Sequence, residues 1–536
     1  MRTNFLCRFA CAAICVFSMP CMAQNPTDVF LNTQESPCFH LFEIELDSGK
    51  DPLPQHLSES LQYTTSGQAD SAQFRCIGAD GIQILIDRVQ NALIAQGYVT
   101  SRVLAEPQNL LAGKLKLKVF LGRIHQIKWP AQTDGQPRRA TSFNTLPLNE
   151  GDVLNLKDIE QGLDNFKRVP TVEADIQIAP ADQAGLSDLL ITHRQSKLFR
   201  FNLTWDDSGT PSTGKQQASV TISYDNWLTL SDLFYVTVNQ DTGEDKDPGY
   251  RGTHGKAFHY SVPMGYQLLA FNLSNSSYYQ TVAGSTTNYV YAGTSENADI
   301  KISRVIHRDA VSKTTMGLKA FRRQSNNYTD DLEIVVQKRI VGGWVWDIGH
   351  RHAIDQMTVE GNLAYKQGTN NFGAIAAPEE KNNTGTSRMR IWNADFSLNK
   401  PFNLFGKSFE YGLNGRYQYN LNRLTQQDYF SIAGRSTVRG FDGLNTLSSD
   451  RGWLVRHDLS TDLAAGHKIF IGLDRGAVSG PASETLIGKS LSGAVLGLRG
   501  QKDALQYEFF AGGPLDKPDR FKTSKTTTGF NLSLSF

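Results

Sequence analysis

The segment Phe409-Glu410-Tyr411-Gly412-Leu413-Asn414-Gly415-Arg416-Tyr417-Gln418-Tyr419-Asn420 alternates along its length. Successive side chains of an extended strand point to opposite faces. Phe409, Tyr411, Leu413, Tyr417 and Tyr419 therefore share one side, and Glu410, Asn414, Arg416, Gln418 and Asn420 share the other. One face suits lipid and the other suits water. The same pattern returns in Val220, Ile222 and Tyr224, in Met357, Val359, Leu363 and Tyr365, and in Trp392, Ala394, Phe396 and Leu398. From about Lys197 onward such segments, separated by polar or Gly-rich stretches, replace helical stripes. A soluble β-sandwich also alternates, but it rarely needs aromatic-rich strands of about 10 residues. The expectation is a closed, antiparallel transmembrane barrel. Residues 199–536, shared among about 16 strands, leave roughly 21 residues for each strand with its part of a loop; about 14 or 18 strands also fit. A barrel near this size encloses an aqueous lumen.

The chain has 536 residues, of which 20% are charged and 40% hydrophobic. That is room for two or more domains, and too polar for a bundle of membrane helices. After residue 23 nothing approaches the roughly 18 to 20 consecutive apolar residues of a spanning helix. If the chain crosses a membrane it must do so as a closed barrel, because lipid satisfies neither a loop nor an open sheet edge. Lys+Arg 54 against Asp+Glu 53, with no basic block, gives no concentrated cationic face and excludes a nucleic-acid partner. Residues 1–23 read as a signal peptide: Arg2 and Arg8, an apolar run from Phe9 to Phe17, then Cys21-Met22-Ala23 before Gln24. The sequences before Cys21 and Cys15 are poor lipidation sites. Removal of this peptide leaves Cys38 and Cys76, which in an oxidising compartment suggest one disulfide, with two buried thiols as the alternative. Such a closure contributes about 2 to 4 kcal/mol.

Between Cys38 and about Ser196 helical and strand periods mix, and one order of elements appears twice. In the first copy Phe42, Ile44 and Leu46 alternate, and Asp80-Gly81 opens a helix with Ile82, Ile86, Val89 and Leu93 along one stripe. Gly97 ends it. A strand over Tyr98 to Leu104 follows, then a hairpin, then Leu115, Leu117 and Val119 opposite Lys114, Lys116 and Lys118. In the second copy a helix near Leu156 to Val169 carries Ile159, Leu163 and Phe166, and Pro170 stops it. Val172, Ala174, Ile176 and Ile178 then alternate with Glu173, Asp175 and Gln177, and a last strand holds Leu189 and Ile191. This predicts two small α+β domains in tandem, 38–122 and 123–197, ahead of a barrel over 198–536.

Several local patterns carry no chemistry. Gly488-Lys489-Ser490 resembles the end of a phosphate loop, but Ser483 stands where its first glycine belongs. His350 and His352 share a strand face without a further ligand at metal spacing. Asp241, Glu244, Asp245 and Asp247 lack the ordered spacing of a calcium loop. With no hydrolase elbow, HExxH helix or cysteine knuckle, no enzyme, metal or cofactor is expected.

One pair of segments does stand out. Val438-Arg439-Gly440-Phe441 follows the polar approach Ala433-Gly434-Arg435-Ser436-Thr437, and about 30 residues later comes Phe470-Ile471-Gly472-Leu473-Asp474-Arg475-Gly476. Asp474 is out of phase with Ile471 and Leu473, and Gly472 and Gly476 keep that face low enough for another backbone to approach. An Arg and an Asp in a lumen could then form a bidentate pair. In a wet lumen it would contribute roughly 0 to 1 kcal/mol, a positional role.

These segments, with Asp450-Arg451-Gly452-Trp453, the terminal Phe536 and the doubled front domains, resemble a two-partner secretion transporter of the haemolysin secretion/activation type. Gly97-Tyr98-Val99-Thr100-Ser101-Arg102-Val103 and Asp158-Ile159-Glu160-Gln161-Gly162-Leu163-Asp164-Asn165 are similar to parts of that family's two POTRA domains. The resemblance implies a 16-stranded outer-membrane barrel behind two periplasmic POTRA domains, which capture the N-terminal secretion domain of a large exoprotein. The exoprotein, a haemolysin, adhesin or contact-dependent inhibition toxin, leaves unfolded and without ATP. It also implies that the VRGF loop folds back into the lumen, where Arg439 meets Asp474. The last strand, Phe530, Leu532, Leu534 and Phe536, resembles the signal read by the barrel-assembly machinery.

Family members commonly carry an N-terminal plug helix and linker, yet only residues 24–37, with Pro26 and Pro37, precede Cys38. That is too little chain for both, so the plug is expected to be absent or vestigial. The rival readings are a factor that inserts other barrels, against which two rather than several POTRA domains argue, and a passive porin, which needs no periplasmic domain.

Overall fold

The computed structural model describes residues 29–32, 35–64, 66–130, 139–243 and 250–536. The signal-peptide reading of residues 1–23, the start of the 24–37 segment, and Glu244, Asp245 and Asp247 lie outside the described residues. The described residues form two compact units, one made of those within 1–131, 148–160 and 176–192, and the other of those within 132–147, 161–175 and 193–536.

In the first unit, Lys114–Phe120 runs parallel to Glu43–Asp47 and antiparallel to Arg102–Leu104. Its alternation holds as predicted: Leu115, Leu117 and Val119 are buried, while the intervening lysines reach Glu43, Asp47 and Glu106 at the surface. The helix Ala79–Ala95 turns Leu85, Val89 and Leu93 into the core, four residues apart, and leaves Ile82 and Ile86 at its flank. The apolar stripe is thus rotated from the predicted one, because the helix also carries a buried cation inward. Arg88 bonds Asp70 at 2.5 Å, and Asp70 further accepts from the Leu31 amide and from Arg75. Burial opposes ionisation of Asp70, but the Arg88 guanidinium and these donors hold its carboxyl below the usual range.

Two predictions for this region are corrected. Phe42 lies outside the strand, 55% exposed against Phe74, and the strand placed at Tyr98–Leu104 is only Arg102–Leu104, because the chain is still turning at Val99 and Thr100. The disulfide expectation stands. Cys38 is bonded to Cys76, beside the short ladder of Phe39–Leu41 with Arg75–Ile77.

The second set of elements is the helix Leu156–Lys167 with a three-stranded sheet in which Leu186–Gln195 lies between Arg123–Lys128 and Val172–Pro180. The helix ends before Pro170 and buries Ile159 and Phe166, with Leu163 only half-buried. Leu189 and Ile191 are buried in the central strand.

In the second unit, sixteen strands from Phe199–Asp206 to Thr527–Ser535 close into an antiparallel barrel, and the two-residue strand Leu332–Glu333 hangs on Ser312–Thr329. The seam pairs Asn202 to Asp206 with Ser535 to Asn531, and the backbone groups of Phe201 and Phe536 exchange hydrogen bonds. Register carries one apolar set round the wall. Tyr417 stands between Ala394 and Trp453, and Leu413 between Leu398 and His457. Leu318, Ile471, Leu473 and Leu496 are about half exposed, which is a lipid-facing band and not a water-facing one. The alternate set, including Arg416, Asp395, Asn414, Glu360 and Arg456, lines the interior cavity. His350 and His352 pair with Thr314 and Ser312 near the end of their strand, where the two rings stack and the Thr314 hydroxyl meets His350 Nδ1 at 2.8 Å.

Candidate functional site

The long connection between Lys407–Asn420 and Arg451–Ala464 turns back into the barrel. Its stem is a hairpin of Phe430–Ile432 with Leu447–Ser449, and its tip carries Val438-Arg439-Gly440-Phe441. The tip lies against inward residues of the wall. Arg439 donates from Nε to Asp474 Oδ2 at 2.7 Å and from Nη2 to Asp474 Oδ1 at 2.7 Å, and its own amide donates to Oδ2 at 2.9 Å. Sequence reasoning missed a second carboxylate, Asp458, which accepts from Nη2 at 2.6 Å. It also missed Arg456, whose Nε lies 3.7 Å from Asp474. No local pattern marks either; register alone brings Asp458 beside Gly472 and Arg456 beside Asp474.

The wet-lumen reading of this pair is corrected. Arg439 and Asp474 are each 3% exposed, because the loop tip brings its own apolar cover. Val438, Phe441, Phe430 and Ile432 pack on Leu454, Val478 and Leu491 of the wall and on Phe521 of a neighbouring loop. A buried pair of this kind owes little to net attraction, but removing one partner strands a charge at about 3 to 5 kcal/mol.

Glycines let the loop lie on the wall backbone. A Cβ at Gly472 would sit 2.5 Å from Arg439 Nη2, and one at Gly476 3.0 Å from Val438. At Gly493 it would stand 1.9 Å from the Arg439 carbonyl oxygen, and Gly440, with φ of +90°, faces the Gly513 carbonyl. Phe470 points inward from the same wall strand into a small cluster with Val495 and Phe510.

Other anchors hold the loop elsewhere. Asp428, at its start, accepts from Lys366 at 2.9 Å and Arg323 at 3.1 Å. Asp450, at its end, accepts from the amides of Leu424 and Ala482, while Arg451 stacks on Tyr419 at 4.4 Å and Trp453 faces outward. Gly488-Lys489-Ser490 lies in a loop-to-strand junction, with Gly488 against Pro518. Among the described residues no group of His, Cys, Asp and Glu is arranged to hold a metal.

A barrel with a loop locked inside its lumen, behind α+β domains, has a match among known proteins. Residues 185–500 match the family described as haemolysin secretion/activation protein ShlB/FhaC/HecB, 123–180 match a POTRA domain, and 67–122 match a ShlB-type POTRA domain. The chain belongs to this family.

It is 32% identical to the outer membrane transporter CdiB-2 of Burkholderia pseudomallei over 94% of this chain and 87% of that protein. To the hemolysin transporter protein ShlB of Serratia marcescens it is 25% identical over 73% and 68%. The solved structure of CdiB from Acinetobacter baumannii superposes with a TM-score of 0.83 at 29% identity, covering 99% and 97% of the two chains. As a member of this family the chain is an outer-membrane transporter of the two-partner secretion type, with its POTRA domains in the periplasm. Both ends of the barrel sequence and its short turns, such as Gly265-Tyr266 and Phe405-Gly406, share one end. That end is the periplasmic one, and the long loops face outward.

Proposed function

We propose that the chain receives the N-terminal secretion domain of a large exoprotein on its POTRA domains and passes the exoprotein outward, unfolded, through the barrel. The periplasm offers no ATP, so folding of the exported chain outside supplies the direction. The observation that supports this most is the lumenal loop itself. It occupies the conducting space and is held by side chains and apolar packing, which can be released, and not by strand pairing with the wall. A passive porin has no use for the two POTRA domains that precede this barrel. In this reading the partner is a protein, the chain is not an enzyme and no cofactor takes part. The barrel-assembly machinery reads Phe536 and the strand before it during biogenesis, and outer-membrane lipid covers the apolar band.

In the same reading Arg439 and Asp474 set the loop's resting position, and residues 24–37 supply no plug. Leu31 is already committed to the first domain's core, and the Glu35 carboxylate accepts from the Gly81 amide at the start of a POTRA helix. The test is export of a cognate exoprotein by Arg439→Ala and Asp474→Ala variants, with barrel assembly followed by heat-modifiable gel mobility. Assembled barrels with export lowered at least roughly tenfold are expected, the order of effect that losing a contact of about 1.4 kcal/mol or more produces. Normal secretion in both variants rejects these roles.

A further inference from the structure

The ladder that closes the barrel is short. The first strand ends at Asp206, opposite Asn531, so the outer part of the closing strand, from Phe530 upward, has no first-strand residue to pair with. A sheet edge with unpaired backbone groups at membrane depth is unfavourable. At Phe530 side chains take over. Its N–H donates to Asp207 Oδ1 at 2.9 Å, and its carbonyl accepts from Arg435 Nη1 at 2.6 Å. Arg435 also binds Asp207 directly, Lys215 Nζ stands 3.9 Å from that carboxylate, and the guanidinium lies 5.8 Å from the Phe510 ring. On the lipid side Trp205 packs edge-on against Phe530 at 5.0 Å. The Asp207 side chain is 8% exposed, and that of Arg435, at 23%, is partly open.

Arg435 belongs to the inserted loop, four residues before Arg439, yet it touches neither Asp474 nor Asp458. It bridges instead from the loop to both sides of the seam. We infer that Arg435 is a positioning residue that completes the outward half of the barrel seam, so the loop's seat in the lumen and the closure of the first and last strands are one linked state. Arg439 fixes the loop to one part of the wall, and Arg435 fixes the seam to the loop. A loop that leaves the lumen takes the guanidinium with it and exposes the Phe530 carbonyl.

The experiment places spin labels on cysteines at Ser208 and Thr528 of the full-length chain in lipid vesicles and reads their distance distribution, with a second pair at Leu203 and Leu534 in the ladder as control. Arg435→Ala and Asp207→Asn are expected to shift the outer pair to longer, broader distances and leave the ladder pair unchanged, whereas Arg435→Lys, which keeps the charge opposite Asp207, restores much of the native distribution. Arg439→Ala separates this inference from the role of the buried pair. If it frees the loop, the outer pair broadens even with Arg435 intact, and if it lowers export without broadening that pair, the linkage fails. An unchanged outer pair in both Arg435→Ala and Asp207→Asn overturns the proposal. Should Arg435→Ala not assemble, the Asp207→Asn distribution decides alone.

Discussion

Arg439 sits between two carboxylates and beside a second arginine, a cluster of two cations and two anions closed off by Val438 and Phe441. In such a site the partners are unequal. Asp474 takes three of the four hydrogen bonds made by Arg439, and Asp458 takes one. Asp458→Asn is therefore expected to reduce export less than Asp474→Asn, and the reverse order in one secretion assay refutes this ranking. Asp70 supports a second prediction, on stability. Its carboxyl titrates below the ordinary value of about 3.9 because folding gives it Arg88, the Leu31 amide and Arg75. A depressed folded value means the stabilisation is complete above that ordinary value and is lost as pH falls through the depressed one. Unfolding midpoints of the full chain should thus be insensitive to this group between about pH 5 and 8. Asp70→Ala, which leaves Arg88 buried without its counter-ion and with only the Asp70 and Val29 carbonyls as acceptors, should destabilise the first domain by about 3 to 5 kcal/mol. Protease accessibility of the helix Ala79–Ala95, unchanged in the variant, refutes it.

At the scale of elements, the loop seats on glycines and not on a groove of side chains. Gly493 faces the Arg439 carbonyl, where backbone cannot swing aside as a side-chain end can, so Gly493→Ala forces the loop off the wall without touching a charge. Export by Gly493→Ala should fall as far as in Arg439→Ala, with the barrel still assembled. Gly472→Ala, which meets the far end of Arg439, should be milder. Equal export by Gly493→Ala and the unaltered chain counts against backbone seating. The strands themselves were legible because period-two alternation survives whatever their neighbours are. The helix Ala79–Ala95 was legible in extent but not in face, since a stripe of isoleucines at one edge looks as apolar as the leucines that are buried.

At the scale of the molecule, the disulfide joins two cysteines 38 residues apart in sequence, in a small domain with little core to spare. Cys76→Ser should lower the stability of the first domain by about 2 to 4 kcal/mol, seen as a lower midpoint of its thermal transition that reductant no longer changes. An identical midpoint in the variant would refute this. The proposal that residues 24–37 supply no plug is tested by single-channel conductance. A resting pore governed by the loop alone should open when Arg439→Ala frees the loop, and a pore that stays closed in that variant argues for another stopper.

Alternation and the two cysteines left after the leader determined the barrel, the doubled α+β front and the disulfide, because each depends on spacing along the chain, while the partner of Arg439 was what the family resemblance implied. Only tertiary structure decided what surrounds that pair. Asp458, Arg456, Asp428 and the Arg435 bridge come from strands and loops far apart in sequence, and closure of a sixteen-stranded sheet brings them together. The burial that turns a modest lumenal ion pair into a costly one to break comes from the apolar faces of a loop, Val438, Phe441 and Phe430, which reads as polar and Gly-containing in sequence and becomes a core when it meets the wall.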